Sequence, residues 1–284
     1  MADSVKIDFL VPGFSKCGTT TLCALLARHP QLYMPRLKEP WYFSAPHYSP
    51  NAAGYARHFR DAGPGQLLGE GSQSYSTYQD EDISIERIRE HNPDCRFIFM
   101  ARNPLHRIES SYREMHHSGP KFGVRAPFGL SACLQRFPQI IRDSMYFERI
   151  GKYVEAFGAG AIMVVFLEDL QRQPQYELSR CFRHLGVAAD VTVASAVQLN
   201  EGESKLHDVP LLRRLRASPR GGPLLARLKQ EQQDVLLRPL GLRRPFKAGV
   251  AWDDAARAMV EEMVLPDAVQ FLRAYGKPAD FWAL

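Results

Sequence analysis

The chain has 284 residues, 45% of them hydrophobic, enough to bury a large α/β core and far above the level of a disordered segment. No window approaches the ~20 apolar residues of a bilayer-crossing helix, and Met1-Ala-Asp-Ser-Val-Lys6 lacks the apolar centre of a secretory leader. Five scattered cysteines make neither a Cys-x-x-Cys pair nor a zinc spacing, and the formal charge of +5 gathers in residues 201–249, with eleven Lys/Arg against five Asp/Glu.

These features predict a cytoplasmic chain with reduced thiols. In chain order, Ile7, Phe9, Leu10 and Val11 predict a buried strand at 7–11, stopped by Pro12-Gly13. Thr19, Thr20 and Thr21 supply cap-type hydroxyls, and Leu22, Leu25 and Leu26 a helical face that stops at His29-Pro30. The turn between them offers amides without intrahelical partners at the positive end of a helix dipole, which predicts a phosphate or sulfate site. Gly13-x4-Gly18 has the spacing of a Walker loop, but Thr19 stands where a nucleoside triphosphatase carries its lysine. Lys16 is the loop's only cation. Cys17 beside it is expected to have a lowered pKa. A nucleophilic role is not expected, because Cys23 occupies the place of a phosphatase loop's arginine.

The string Lys16-Cys17-Gly18-Thr19-Thr20 resembles the Lys-x-Gly-Thr-(Ser/Thr) loop of sulfotransferases that use 3′-phosphoadenosine 5′-phosphosulfate. Taken alone, the loop fits a plain strand-to-helix turn with an exposed lysine equally well. Lys38-Glu39-Pro40 follows, with Trp41, Tyr42 and Phe43. Pro40 pushes Glu39 toward extended backbone, and three aromatics that exclude water would raise a carboxylate's pKa toward that of a working base. The same string occurs in the heparan-sulfate-type branch of the family and in many bacterial relatives, where the glutamate is the proposed general base. A Lys38–Glu39 surface pair is the alternative.

Residues 46–65 read as loops around a short helix near Tyr55 to Phe59, at the acceptor entrance, and 67–70 as a strand. Gly71-Ser-Gln-Ser-Tyr75 resembles the family's Glu-Lys-(Ser/Thr)-Pro-x-Tyr segment, with Gly71 and Gln73 in place of its lysine and proline. A helix is predicted over 81–92, and Arg96 to Ala101 is a continuous apolar strand that delivers Arg102 to the carboxyl end of a sheet. Pro104 opens the next helix. Arg102 and Ser110 match the family's Arg-x-Pro-x-x-Arg-x-x-Ser-x-Tyr element, and the resemblance implies that they hold the nucleotide 3′-phosphate.

His116 and His117 are expected to be solvent-exposed residues of a helix end, since neighbours on a helix do not face one way. Tyr146 to Phe157 predicts an amphipathic helix ended by Gly158, 161–166 a buried strand, and Tyr176 to Leu185 a helix closed by Gly186. Glu168 and Asp169 are expected to be structural caps. Beyond Asn200 the periodic signal fades. In this family the corresponding region folds over the nucleotide, and Lys205, His207, Arg213, Arg214 and Arg220 are all candidate contacts. Aromatics are sparse there and no nucleic-acid motif accompanies the charge, so nucleic acid is not an expected partner. Residues 256–264 and 267–275 predict closing helices.

Strands alternating with helices predict one α/β domain over residues 1–284, three-layered with a parallel sheet, and a basic lid-like segment at 201–249. The resemblance implies the P-loop-like sulfotransferase fold and transfer of a sulfuryl group from 3′-phosphoadenosine 5′-phosphosulfate to a hydroxyl, or less readily an amine. The acceptor and the oligomeric state stay open. The nucleotide-binding set is Lys16, Cys17, Gly18, Thr19, Thr20, Thr21, Arg102 and Ser110. Lys16 would neutralise charge on the leaving phosphate oxygen, Glu39 or a histidine (His47 or His207) would take the acceptor proton, and no metal is required. Two rivals remain at this level: a P-loop nucleotide kinase, which would need a lysine at position 19, and a non-enzymatic basic anion-binding module.

Overall fold

In the computed structural model, which describes residues 5–37, 39–50, 52–193, 205–228, 230–246 and 249–283, the apolar runs form a five-stranded, wholly parallel sheet. Its strands are β1 (Phe9–Leu10), β2 (Leu32–Tyr33), β3 (Leu67–Glu70), β4 (Arg96–Ala101) and β5 (Ile162–Phe166), in the order β2-β3-β1-β4-β5. β4 is buried from Phe97 to Ala101 and β5 along its whole length, as continuous apolar strands covered on both faces must be. The chain leaves β1 toward one edge and reaches β4 on its other side. Strand order therefore reverses at β1, and the crevice at the carboxyl ends of β1 and β4 is where such sheets bind ligands.

The flanking helices are α1 (Thr19–Leu26), α2 (Ala53–Ala56), α3 (Glu81–His91), α4 (Pro104–His117), α5 (Leu130–Arg136), α6 (Gln139–Arg142), α7 (Tyr146–Phe157), α8 (Leu167–Arg172) and α9 (Pro174–Leu185). α9 starts on Pro174 and stops at Gly186, which takes the left-handed conformation (φ 77°) that ends helices. The core packs Phe9, Phe14, Phe97, Phe99 and Phe182 without solvent exposure, each contributing about 1.5–3 kcal/mol of burial.

The described residues group into two compact units: 1–107, 142–199 and 263–284 in the first, 108–141 and 200–262 in the second. The first holds the sheet. Its start of α7 is capped from afar, since Phe147 and Glu148 donate their amides to the Asp267 carboxylate at 3.0 and 2.9 Å. Asp267 therefore does not begin a new helix after Pro266. α13 (Asp254–Ala274) runs through that proline as one helix, where the sequence predicts two.

In the second unit, the described part of 201–249 carries regular elements. β6 (Leu206–Asp208) pairs antiparallel with β7 (Arg243–Pro245), and α10 (Pro210–Ala217), α11 (Gly221–Ala226) and α12 (Gln230–Leu237) lie between them. A small core of Leu212, Leu225 and Leu237 is supplemented by charge pairing: buried Asp208 faces Arg216 at 2.5 Å and Arg243 at 3.1 Å, and Arg243 also reaches Asp234. Part of the local positive charge is thus consumed inside the unit. His116 and His117 are not exposed. His116 is buried among the rings of Tyr112, Phe128 and Phe246, and His117 Nδ1 accepts the Leu206 amide at 3.1 Å. Burial pushes His116 down to about 4, so it is neutral near pH 7. Among the described residues no helix is long and apolar enough to cross a membrane.

Candidate active site

The loop leaving β1 turns at Gly18, whose φ of 91° lies in the left-handed region. A Cβ there would also sit 2.9 Å from Leu167, so both conformation and space call for glycine. Gly18 is the N-cap of α1 and has no side chain to cap it; the hydrogen-bond ladder begins only where Thr21 N–H meets Gly18 O at 3.0 Å. The first turn of a helix presents backbone N–H groups of the kind that suit an anion. Thr19 is buried, Thr20 is exposed and Thr21 is half-buried.

Arg102 leaves β4 beside this loop. Its Nη1 donates to Lys16 O at 3.3 Å, while Tyr146 Oη donates to Arg102 O at 3.0 Å and lies 3.4 Å from Cys17 Sγ. The two strongest sequence signals are thereby brought together. Among the described residues Arg102 Nε is buried without a hydrogen-bond partner. A buried, unpaired guanidinium nitrogen is costly unless a ligand meets it, and a phosphate oxygen has the geometry to do so. The next residue ties the turn down: Asn103 donates its amide to Glu168 Oε1 (2.9 Å), accepts from Leu105 N (2.9 Å), and donates from Nδ2 to Trp282 O (2.7 Å). Glu168 acts as a cap, and Asp169 pairs with Lys277 at 2.6 Å. Ser110 is half-buried on α4 and falls in the second unit.

The expectation of a lowered Cys17 pKa is overturned. Burial pushes the thiol up and outweighs the nearby Arg107, the Tyr146 hydroxyl and Arg102. Its amide donates to Phe14 O at 3.1 Å, so both polar groups of Cys17 are engaged within the protein.

Glu39 is half-buried and receives Gln73 Nε2 on Oε2 at 3.3 Å. Lys38, its expected surface partner, lies outside the described residues. The aromatics divide differently from the expectation. Trp41 is 54% exposed, while Tyr42 and Phe43 join a buried cluster with Tyr55 and Tyr75, Tyr42 stacking on Tyr55 at 3.8 Å. Trp41 has φ 52°, a left-handed conformation that costs a non-glycine residue roughly 1–3 kcal/mol and persists only where its surroundings impose it.

The carboxylate enclosed by aromatics is Glu70, at the end of β3. It has no solvent exposure and accepts from Tyr75 Oη at 2.5 Å, Ser72 Oγ at 2.8 Å and Tyr55 Oη at 3.4 Å. Burial pushes it up to about 7 despite those donors, and nearby Glu39 adds to the rise. Sequence reasoning read Glu70 only as a strand end. Gly71 explains the missing lysine of the family pattern, because a Cβ there would lie 2.5 Å from Cys23 Sγ on α1. His47 is exposed, and His207 sits on β6 between the rings of Phe128 and Phe246.

Residues 6–204 match the family model of the sulfotransferase domain. A sulfotransferase from Alicyclobacillus acidocaldarius shares the fold with a TM-score of 0.58 at 23% identity, over 82% of this chain and 96% of that one. The sulfotransferase domain from the curacin biosynthetic pathway does so at 0.52 and 14% identity, over 91% and 97%. The membrane-associated sulfotransferase kil1 of Dictyostelium discoideum is 31% identical over 108 residues, 37% of this chain, which covers 22% of kil1's length. With the family model spanning most of its length, and a loop that lacks the Walker lysine at the strand-order switch, this chain belongs to the sulfotransferase domain family, enzymes that move a sulfuryl group to an acceptor.

Proposed function

We propose that the enzyme takes its sulfuryl group from 3′-phosphoadenosine 5′-phosphosulfate and delivers it to a hydroxyl of a small-molecule, carbohydrate or carrier-bound acceptor in the cytoplasm. The observation that carries the reading is the pairing of the uncapped α1 loop with Arg102, whose Nη1 holds Lys16 O while Nε stays buried and unpartnered. Lys16, Gly18, Thr19, Thr20 and Thr21 surround the 5′ side of the nucleotide. Arg102 binds the 3′-phosphate, a role the sequence resemblance also gives to Ser110. The donor brings an activated sulfuryl group on a phosphate leaving oxygen.

Everything else falls to the chain. The Lys16 ammonium and the first α1 amides balance charge growing on the leaving oxygen, and Glu39 removes the acceptor's proton as the new bond forms. Positioning and charge balance carry such in-line transfers, so these residues suffice without a protein nucleophile. Thermal shift tests the reading: adenosine 3′,5′-bisphosphate should raise Tm, and ATP with Mg²⁺ should not. A shift with ATP-Mg²⁺ alone, or with neither, would refute it. A mass-spectrometric screen for sulfated products then identifies the acceptor.

A further inference from the structure

Two of the hydrogen bonds to the Glu70 carboxylate, from Ser72 and Tyr75, lead to the turn that carries Glu39. Ser72 Oγ donates to Glu70 Oε2 (2.8 Å) and accepts the Trp41 amide (3.0 Å). Tyr75 Oη donates to Glu70 Oε1 (2.5 Å) and accepts the Phe43 amide (3.3 Å). Each hydroxyl can accept a backbone amide because its own proton is committed to the carboxylate. The two amides flank Tyr42 and bracket the left-handed Trp41, which a free turn would not hold. Gln73, in the same 3₁₀ turn as Tyr75, reaches the Glu39 carboxylate itself.

We propose that Glu70 is a positioning residue for sulfuryl transfer: acting through Ser72 and Tyr75, it locks the Pro40–Phe43 turn and so fixes the direction in which Glu39 faces the acceptor. This rests on the reading of Glu39 as the base. Glutamine at position 70 presents an NH₂ to one of the hydroxyls, which must then turn its proton away and with it reorient the lone pair that holds its amide. The turn loosens while the α1 loop, tied to Arg102 and Tyr146, is untouched.

The test compares the full-length parent with Glu70→Gln, Glu39→Gln, the double variant and Tyr75→Phe. Amide hydrogen exchange should quicken in the peptide spanning 41–43 in Glu70→Gln and Tyr75→Phe, with the 16–26 segment unchanged. Affinity for adenosine 3′,5′-bisphosphate should stay parental. Turnover with the screened acceptor should fall roughly 10–100-fold in Glu70→Gln, the scale of a small misplacement of a reacting group. The double variant should be no slower than Glu39→Gln alone. Parental exchange at 41–43 in both Glu70→Gln and Tyr75→Phe overturns the proposal, as does multiplication of the two losses in the double variant. The base assignment is read separately: an active Glu39→Gln enzyme removes it, and a slow Glu70→Gln enzyme beside it shows that Glu70 acts by another route.

Discussion

Truncating Arg102 to alanine removes a guanidinium that does two jobs in the proposed site, and the two can be separated by choice of ligand. One job is structural: Nη1 holds Lys16 O at 3.3 Å, a long contact that puts its worth near the low end of a charged hydrogen bond. The other is the buried Nε, which would meet a 3′-phosphate oxygen in a charge-assisted bond of about 1.5–3 kcal/mol. At about 1.4 kcal/mol per factor of ten, that loss weakens adenosine 3′,5′-bisphosphate by roughly 10–150-fold. Calorimetric titration with adenosine 5′-monophosphate, which lacks the 3′-phosphate, isolates the structural part. The variant should bind that ligand almost as the parent does. Equal losses for both nucleotides would mean that Arg102 props the loop through Lys16 and does not read the 3′-phosphate.

Lys16→Ala should lose turnover by a larger factor than nucleotide affinity, because the charge it meets grows toward the transition state; equal losses would reduce it to a binding residue. Glu39→Gln should keep nucleotide affinity and lose roughly 10²–10⁴-fold in turnover, whereas His47→Ala and His207→Ala should remain active; a dead histidine variant with normal nucleotide binding would transfer the role of base. Asp267, raised by burial from 3.8 to about 6, favours the fold in its protonated state, so its contribution is complete below pH 4 and is lost as pH rises through 6. Asp267→Asn should flatten that part of the stability profile, worth about 2 kcal/mol between pH 4 and pH 7 in chemical denaturation. An unchanged slope would exclude Asp267 as its source.

The middle of the sheet was legible because β4 and β5 are nearly continuous apolar runs; β3 and β4 coincide with their predicted spans, and α7 with its amphipathic period. β2 escaped notice because two residues, Leu32 and Tyr33, make no pattern. α10, α11 and α12 have only six to eight residues each, and much of their support is the ion pairing around Asp208, which leaves no periodic trace. The β1-to-α1 loop and Arg102 stand out in the sequence as motifs, because their patterns are made by neighbours along the chain, and the fold brings the two together. Glu70 was not. Its partners Tyr55, Ser72 and Tyr75 look like ordinary core and loop residues, and only folding gathers them on one carboxylate. The exposure of His116 was misjudged for a related reason: the rings of Phe128 and Phe246 that cover it come from distant segments.

The tie from Asn103 to Trp282 joins positions 179 residues apart, and Trp282 also lies against Tyr146, whose hydroxyl holds Arg102 O. The turn that presents Arg102 is thus pinned from Trp282 as well as from Glu168 and Tyr146, all far from it along the chain. Contacts this distant in sequence are slow to close. The Arg102 turn is therefore expected to reach its final geometry late in refolding, after the more local β1-to-α1 loop. In stopped-flow refolding, binding of adenosine 3′,5′-bisphosphate should accordingly lag behind formation of the sheet, and simultaneous recovery of the two would refute this order.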